Sequence, residues 1–316
     1  MITNSTKKNR RFPAGCGSAA TNPAACRGLA TTIATVCCAF AATMAVMLVT
    51  ACSDDDLSST SIFQDSTAPR SEFDQWIYDS YVVPYNIDLK YRLEDRETDY
   101  EHYLVPADRQ QSQRLAQAVL YCWLQAYDEV AGQDFTRTYS PKIIQLVGSY
   151  AHNKKGTVKM GTAEDGLKVT LYAVNFFKTD RSTLNTYFQI MHHEFAHILT
   201  QNKDYDTEFR IISDNDYVTG NWSTIQESDA LRAGFIDAYA MSEYNEDFAE
   251  TLSYYLIDTP TQWAQKMRTA GDNGKAIIDR KLTIIREYMH SAWGIDLDQM
   301  RDVLQRRIDE FIKDNS

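Results

Sequence analysis

The chain has 316 residues, 32 of them basic and 43 acidic, for a formal charge of −11. That balance leaves no basic stripe for phosphates and argues against nucleic acid as a partner. The five basic residues of positions 1–51 (Lys7, Lys8, Arg10, Arg11, Arg27) stand without any acidic one, so the 265 residues from Cys52 onward would hold 27 basic against 43 acidic side chains, a formal −16 that keeps a tethered protein off anionic surfaces.

Residues 1–51 read as a lipoprotein signal peptide: a basic start, then an uncharged run from Gly28 to Ala51. The run is also long enough to span a bilayer if retained. It ends Val49-Thr50-Ala51-Cys52, small residues before a cysteine, which resembles the lipobox at which a signal peptidase cuts ahead of a lipid-modified Cys52. Residues 52–70 then form a lipid-anchored, flexible tether rich in Ser, Thr and Asp. Within it, Ser53-Asp54-Asp55-Asp56 looks like an acidic signal for export to the outer face of an outer membrane, the plain alternative being a hydrophilic spacer.

Residues 71–316 read as one domain. Ser71 to Tyr81 predicts a helix ending ahead of Pro84, Asn86 to Leu93 an extended stretch, and Asp108 to Ala131 a long helix closed by Gly132. Cys122 falls on the apolar face of that helix with Leu115, Val119 and Trp123, as a buried, inert thiol. It would be the one cysteine left after loss of the leader and lipidation of Cys52, which excludes an intramolecular disulfide. Lys142 to Val147 reads as a strand, and Thr157–Met160 with Leu167–Val174 as a hairpin turning at Ala163-Glu164-Asp165-Gly166. Such a sheet would offer an edge strand to an extended peptide.

Next, three of the six histidines fall within six positions, in Met191-His192-His193-Glu194-Phe195-Ala196-His197. Leu184, Tyr187, Phe188, Met191, Phe195, Ile198 and Leu199 recur at helical spacing, so the motif sits in an amphipathic helix starting near Ser182 and Thr183. His193 and His197, four residues apart, stack on one face and can share a zinc ion at about 2.0–2.1 Å, with Glu194 beside its water as general base. His192, about 100° around the helix, reads as a surface residue or one behind a ligand. A third histidine in the longer HExxHxxGxxH form is excluded, because Thr200 and Lys203 stand where glycine and histidine are required. What remains is a carboxylate from a second helix, and Asn245-Glu246-Asp247-Phe248-Ala249-Glu250 offers Glu246 as ligand and Glu250, one turn on, as acceptor for the far nitrogen of a ligand histidine.

The polar segment from Lys203 to Ser228, with Gly220, Asn221 and Trp222 at its centre, reads either as a rim of the cleft or as a surface excursion. From Ser228 the pattern is helical almost to the end, broken at Pro260, Gly271, Gly274 and Gly294. There is no internal repeat, phosphate-binding glycine loop or coiled coil.

His193-Glu194-Phe195-Ala196-His197 followed by Glu246-Asp247-Phe248-Ala249-Glu250 resembles the gluzincin metallopeptidases, in particular the lethal-factor-like branch with its HEFxH and ExFAE pair, over residues 180–256. The resemblance implies a mainly helical, zincin-like α+β domain with a small sheet before the metal helix, and one Zn2+ per chain. It implies peptide-bond hydrolysis, Glu246 as the zinc ligand, and Tyr239, seven residues earlier, as oxyanion donor, with Tyr244 as the alternative. With the export signal, the layout is similar to the substrate-import-associated zinc metallohydrolase lipoproteins of Bacteroidetes. That likeness implies an outer-membrane location facing the exterior, a peptide or protein substrate, and a TonB-dependent importer with its binding lipoprotein as partners. The rival reading is a non-catalytic substrate-binding lipoprotein on the same scaffold.

Overall fold

In the computed structural model the described residues are 69–94, 102–152, 158–159, 161–164 and 167–316, all within the compact unit Pro69–Ser316. The leader, Cys52, nearly all of the tether and Asp165-Gly166 of the expected turn lie outside the described residues. The architecture is α+β, with helices predominating and, among the described residues, a small four-stranded sheet and a two-stranded ribbon.

Ser71 caps the first helix, α1 (Glu72–Ile77), in a reciprocal capping box with Asp74. Pro84 does not end it. A π-helical stretch Tyr78–Val82 carries the chain into a last turn, Val83–Tyr85, that contains the proline and closes at Asn86 in the left-handed conformation. Strand β1 (Asp88–Lys90) follows. Asp108 then caps α2 (Arg109–Ala118), which runs through a second π-helical stretch, Val119–Leu124, into α3 (Gln125–Ala131). Gly132, at φ 86°, ends the run and starts α4 (Gln133–Tyr139). Cys122 is buried in this run, and burial pushes its thiol up to about 12.

Strand β2 (Ile143–Leu146) pairs in parallel with β1 on one side and with the last strand of the sheet, Lys168–Leu171, on the other. The expected hairpin is corrected. Val158–Lys159 pairs not with 168–171 but with Ala151–His152, in a separate two-stranded ribbon of β3 (Ala151–His152) and β4 (Val158–Lys159). The antiparallel partner of β6 (Lys168–Leu171) is β5 (Gly161–Glu164), so Ala163 and Glu164 belong to a strand rather than to a turn. The sheet order is β1-β2-β6-β5, leaving β5 at the edge.

Asp180 caps the histidine helix α5 (Arg181–Asn202), 22 residues long, by accepting a hydrogen bond from Thr183 N at 2.8 Å. Its apolar face (Leu184, Phe188, Met191, Phe195, Leu199) is buried in the main core. It lies against the sheet edge: a Cβ on Gly161 would come within 2.2 Å of Ile190 Cγ2, so only glycine lets β5 approach the helix this closely.

The 203–228 segment carries a short helix, α6 (Glu208–Ile212), and a 3-10 turn Trp222–Thr224. After it come α7 (Glu227–Arg232), a 3-10 turn Tyr239–Met241, and the glutamate helix α8 (Tyr244–Ile257), which packs along α5. Helix α9 (Pro260–Trp293) bends at Gly271 (φ 67°) and ends at Gly294, and α10 (Leu297–Asp314) closes the fold. Gly274, read from the sequence as a break, lies inside α9. Among the described residues no helix is long and apolar enough to cross a membrane.

Candidate metal centre

Helices α5 and α8 bring three side chains to one point. His193 Nε2 lies 3.1 Å and His197 Nε2 3.4 Å from Glu246 Oε2, and the two imidazole nitrogens are 3.1 Å apart. All three ligand atoms fall within 4.8 Å of one another. Glu246 Oε2 is buried with no hydrogen bond of good geometry, and the two imidazole Nε2 atoms converge on it and on each other. Such an arrangement of lone pairs is costly unless something positive sits among them. Two imidazoles and a carboxylate are a borderline-soft N2O donor set, which fits zinc.

The second layer of contacts is also in place. His193 Nδ1 lies 2.9 Å from Glu250 Oε1, and Gln189, one turn before His193 on the same face of α5, donates to Glu250 Oε2 at 2.7 Å. Burial pulls the His193 imidazolium down, but Glu246 and Glu250 more than offset it and hold the group at about 10. Burial raises the Glu246 carboxyl, while His193 and His197 together outweigh this and hold it well below the usual carboxylate range. Glu194 is half-buried, and its charge bears on both His193 and Tyr239.

Tyr239 stands beside the site. Its ring is 6.0 Å from that of His193, and the Glu246 charge bears on its hydroxyl. Burial and the Glu246 charge push the phenol above its ordinary value, so it stays a proton donor at neutral pH. Tyr244, the alternative, occupies the first turn of α8, with the Arg210 guanidinium 4.9 Å over its ring.

His192 is corrected. It is fully buried about 100° around α5 from His193, its Nδ1 2.9 Å from the Tyr127 hydroxyl and its ring packed against Trp123 and Tyr127, and burial pulls its imidazolium down to about 3.

Three further residues shape the site. Asp237, buried and pushed well above its usual range by burial and by Glu250, accepts from Ala240 N at 2.8 Å and so shapes the turn that presents Tyr239. Trp222 sets its ring edge against Tyr239 at 4.9 Å, which makes the 203–228 segment part of the site's wall. Gln189 could have been found, since Gln189, His193 and His197 follow one i, i+4, i+8 stripe.

Comparison with known proteins identifies a family for the chain. A family profile described as "Putative zinc-binding metallo-peptidase" matches residues 66–298. A crystal structure of a Bacteroides caccae ATCC 43185 protein described in the same words shares 46% identity, covers 80% of this chain and 97% of that one, and superposes with a TM-score of 0.70. No curated protein matches.

Proposed function

The chain belongs to this family of zinc-binding metallo-peptidases, and on that premise we propose that it is a zinc-dependent peptidase holding one Zn2+ through His193, His197 and Glu246. The convergence of those three ligand atoms, with Glu250 behind His193, carries the proposal. When bound, the ion supplies Lewis acidity, lowering the pKa of a water and polarising a carbonyl. Glu194 takes the proton of that water and returns it to the leaving amine. The Tyr239 hydroxyl donates to the carbonyl oxygen as it becomes anionic, and a neutral phenol suits that role. Glu250, itself held by Gln189, places Oε1 2.9 Å from His193 Nδ1, where it would favour the tautomer with the proton on Nδ1 and leave Nε2 free to bind metal.

Among the described residues β5 is an edge strand, packed through Gly161 against Ile190 three residues before His193, and such an edge would give an extended peptide backbone somewhere to pair beside the site. The leader and Ala51-Cys52 support a lipid anchor, Ser53-Asp54-Asp55-Asp56 supports display on the outer face of an outer membrane, and the likeness to substrate-import-associated lipoproteins suggests a TonB-dependent importer as partner. For that anchor, Cys52→Ala is expected to release the protein from the membrane fraction, and retention there would refute lipidation as the tether.

Elemental analysis of the purified chain, made without a metal-binding tag, tests the core of the proposal. One zinc per chain, lost in His197→Ala, is the expected result. No zinc after reconstitution would overturn it.

A further inference from the structure

Glu246 sits in the first turn of α8, where a helix has unsatisfied N–H groups and frays most readily. Such turns are ordinarily braced by the N-cap side chain, yet Glu243, at that position, makes no capping hydrogen bond. A metal ligand on an unbraced turn would lose its aim.

The bracing comes instead from the 203–228 segment, which grips the residues on either side of Glu246. The Tyr205 hydroxyl donates to Asn245 Oδ1 at 3.0 Å and reaches Tyr244 O at 3.4 Å. The Tyr217 hydroxyl donates to Asp247 Oδ2 at 2.9 Å. Neither phenol is loose: Tyr205 is stacked on Phe248 at 4.3 Å, and Tyr217 sets its ring against Phe235 at 5.4 Å. Asp247 is tied further into the fold by Lys281 at 2.7 Å, both side chains fully buried, and Lys281 also donates to Gly234 O at 2.9 Å.

We propose that Tyr205 and Tyr217 are positioning residues that clamp the first turn of α8 from both sides and aim the Glu246 carboxylate at the metal. The inference rests on the zinc reading of the site and assigns the segment between the two metal helices a role in metal affinity. Neither tyrosine touches the ligand atoms, so the effect passes through the backbone turn that carries Glu246.

The test is zinc affinity of the full, metal-stripped chain, measured by competition with a chromophoric chelator. Thermal unfolding of the metal-free protein is recorded on the same samples. The double substitution Tyr205→Phe/Tyr217→Phe keeps both rings and removes both hydroxyls, and is expected to weaken zinc binding by about 10–100-fold, the usual range for loss of contacts behind a ligand. Tyr288→Phe is the control. Its hydroxyl donates to Lys203 O at 2.8 Å and its ring packs on Phe248, in the same aromatic cluster, but it touches neither neighbour of Glu246. It is expected to lower thermal stability and leave zinc affinity unchanged. Unchanged affinity in the double variant overturns the proposal, and so does an equal loss in Tyr288→Phe, which would make the effect one of general stability. If the double variant does not fold, Tyr217→Phe alone, which leaves Lys281 on Asp247, is held to the same outcomes. An unsubstituted chain that binds no zinc overturns the zinc reading as well, whereas zinc bound equally by parent and variant overturns the clamp alone.

Discussion

His192 and His193 are neighbours on one helix, both buried, at 0% and 8% exposure, and they end up at opposite extremes. Burial pulls both imidazolium forms down. His192 faces Trp123 and Tyr127, which offer rings and one hydroxyl, and nothing opposes the burial; it settles at about 3. His193 faces Glu246 and Glu250, whose charges outweigh the same cost and take it to about 10. Burial alone therefore does not make a functional histidine. The carboxylates that the second helix brings to the front face do, and the back face is a packed core that keeps the helix in place.

Breaking the front face should have the largest effect. Glu194→Ala removes the base and leaves the three ligands, so peptide-library turnover should fall about 10²–10⁴-fold while zinc stays bound. Undiminished turnover would take Glu194 out of the chemistry. Glu250→Gln keeps the volume and discards the charge behind His193, and should weaken zinc about 10–100-fold in a chelator competition. If affinity is instead unchanged, a neutral acceptor behind His193 suffices, and the charge contrast between the two faces rests on Glu246 alone.

The front face was legible in the sequence because its geometry is local. His193 and His197, like Glu246 and Glu250, each lie one turn apart on their own helix, so spacing alone puts each pair on a single face. The caps at Asp108 and Asp180 and the stop at Gly132 are read from a residue or two each. Strand register was not legible. Alternation recurs every two residues, so Val158 and Met160 matched the pattern as well as the true partner Gly161–Glu164, which was selected by the room that only a glycine leaves beside Ile190. Pro84 was misread because the π-helical stretch before it shifts the hydrogen-bond register, as Val83 N reaching back to Tyr78 O shows. The remaining omissions are contacts over long sequence separations. Tyr217 meets Asp247 30 residues on, His192 meets Tyr127 65 residues back, and Lys281 reaches Asp247 from another helix. No window of sequence contains such pairs, so the length and polarity of Lys203–Ser228 could suggest a cleft rim but not which of its residues hold α8.

The smallest expected effect separates the two faces by pH. In the metal-free chain His193 sits at about 10 when folded, against about 6.5 unfolded, so its contribution to stability is complete below about 6.5 and is lost as pH rises toward 10. Between about 3 and 6.5 it is protonated in both states and contributes no slope. His192 behaves in the opposite way. Its folded value of about 3 means that below about 6.5 the unfolded chain takes up a proton that the folded chain refuses, so stability falls with pH at a limiting slope of about 1.4 kcal/mol per pH unit. His192→Leu replaces a neutral buried ring with an apolar side chain and removes that proton. Urea unfolding of the metal-free variant and its parent, compared from about pH 4 to about pH 9, should give a stability difference that is flat above about 6.5 and moves in the variant's favour below it. A difference that is flat throughout would mean that His192 takes up its proton as readily folded as unfolded, and the packing of Trp123 and Tyr127 around it would then not be the closed core that separates the two faces.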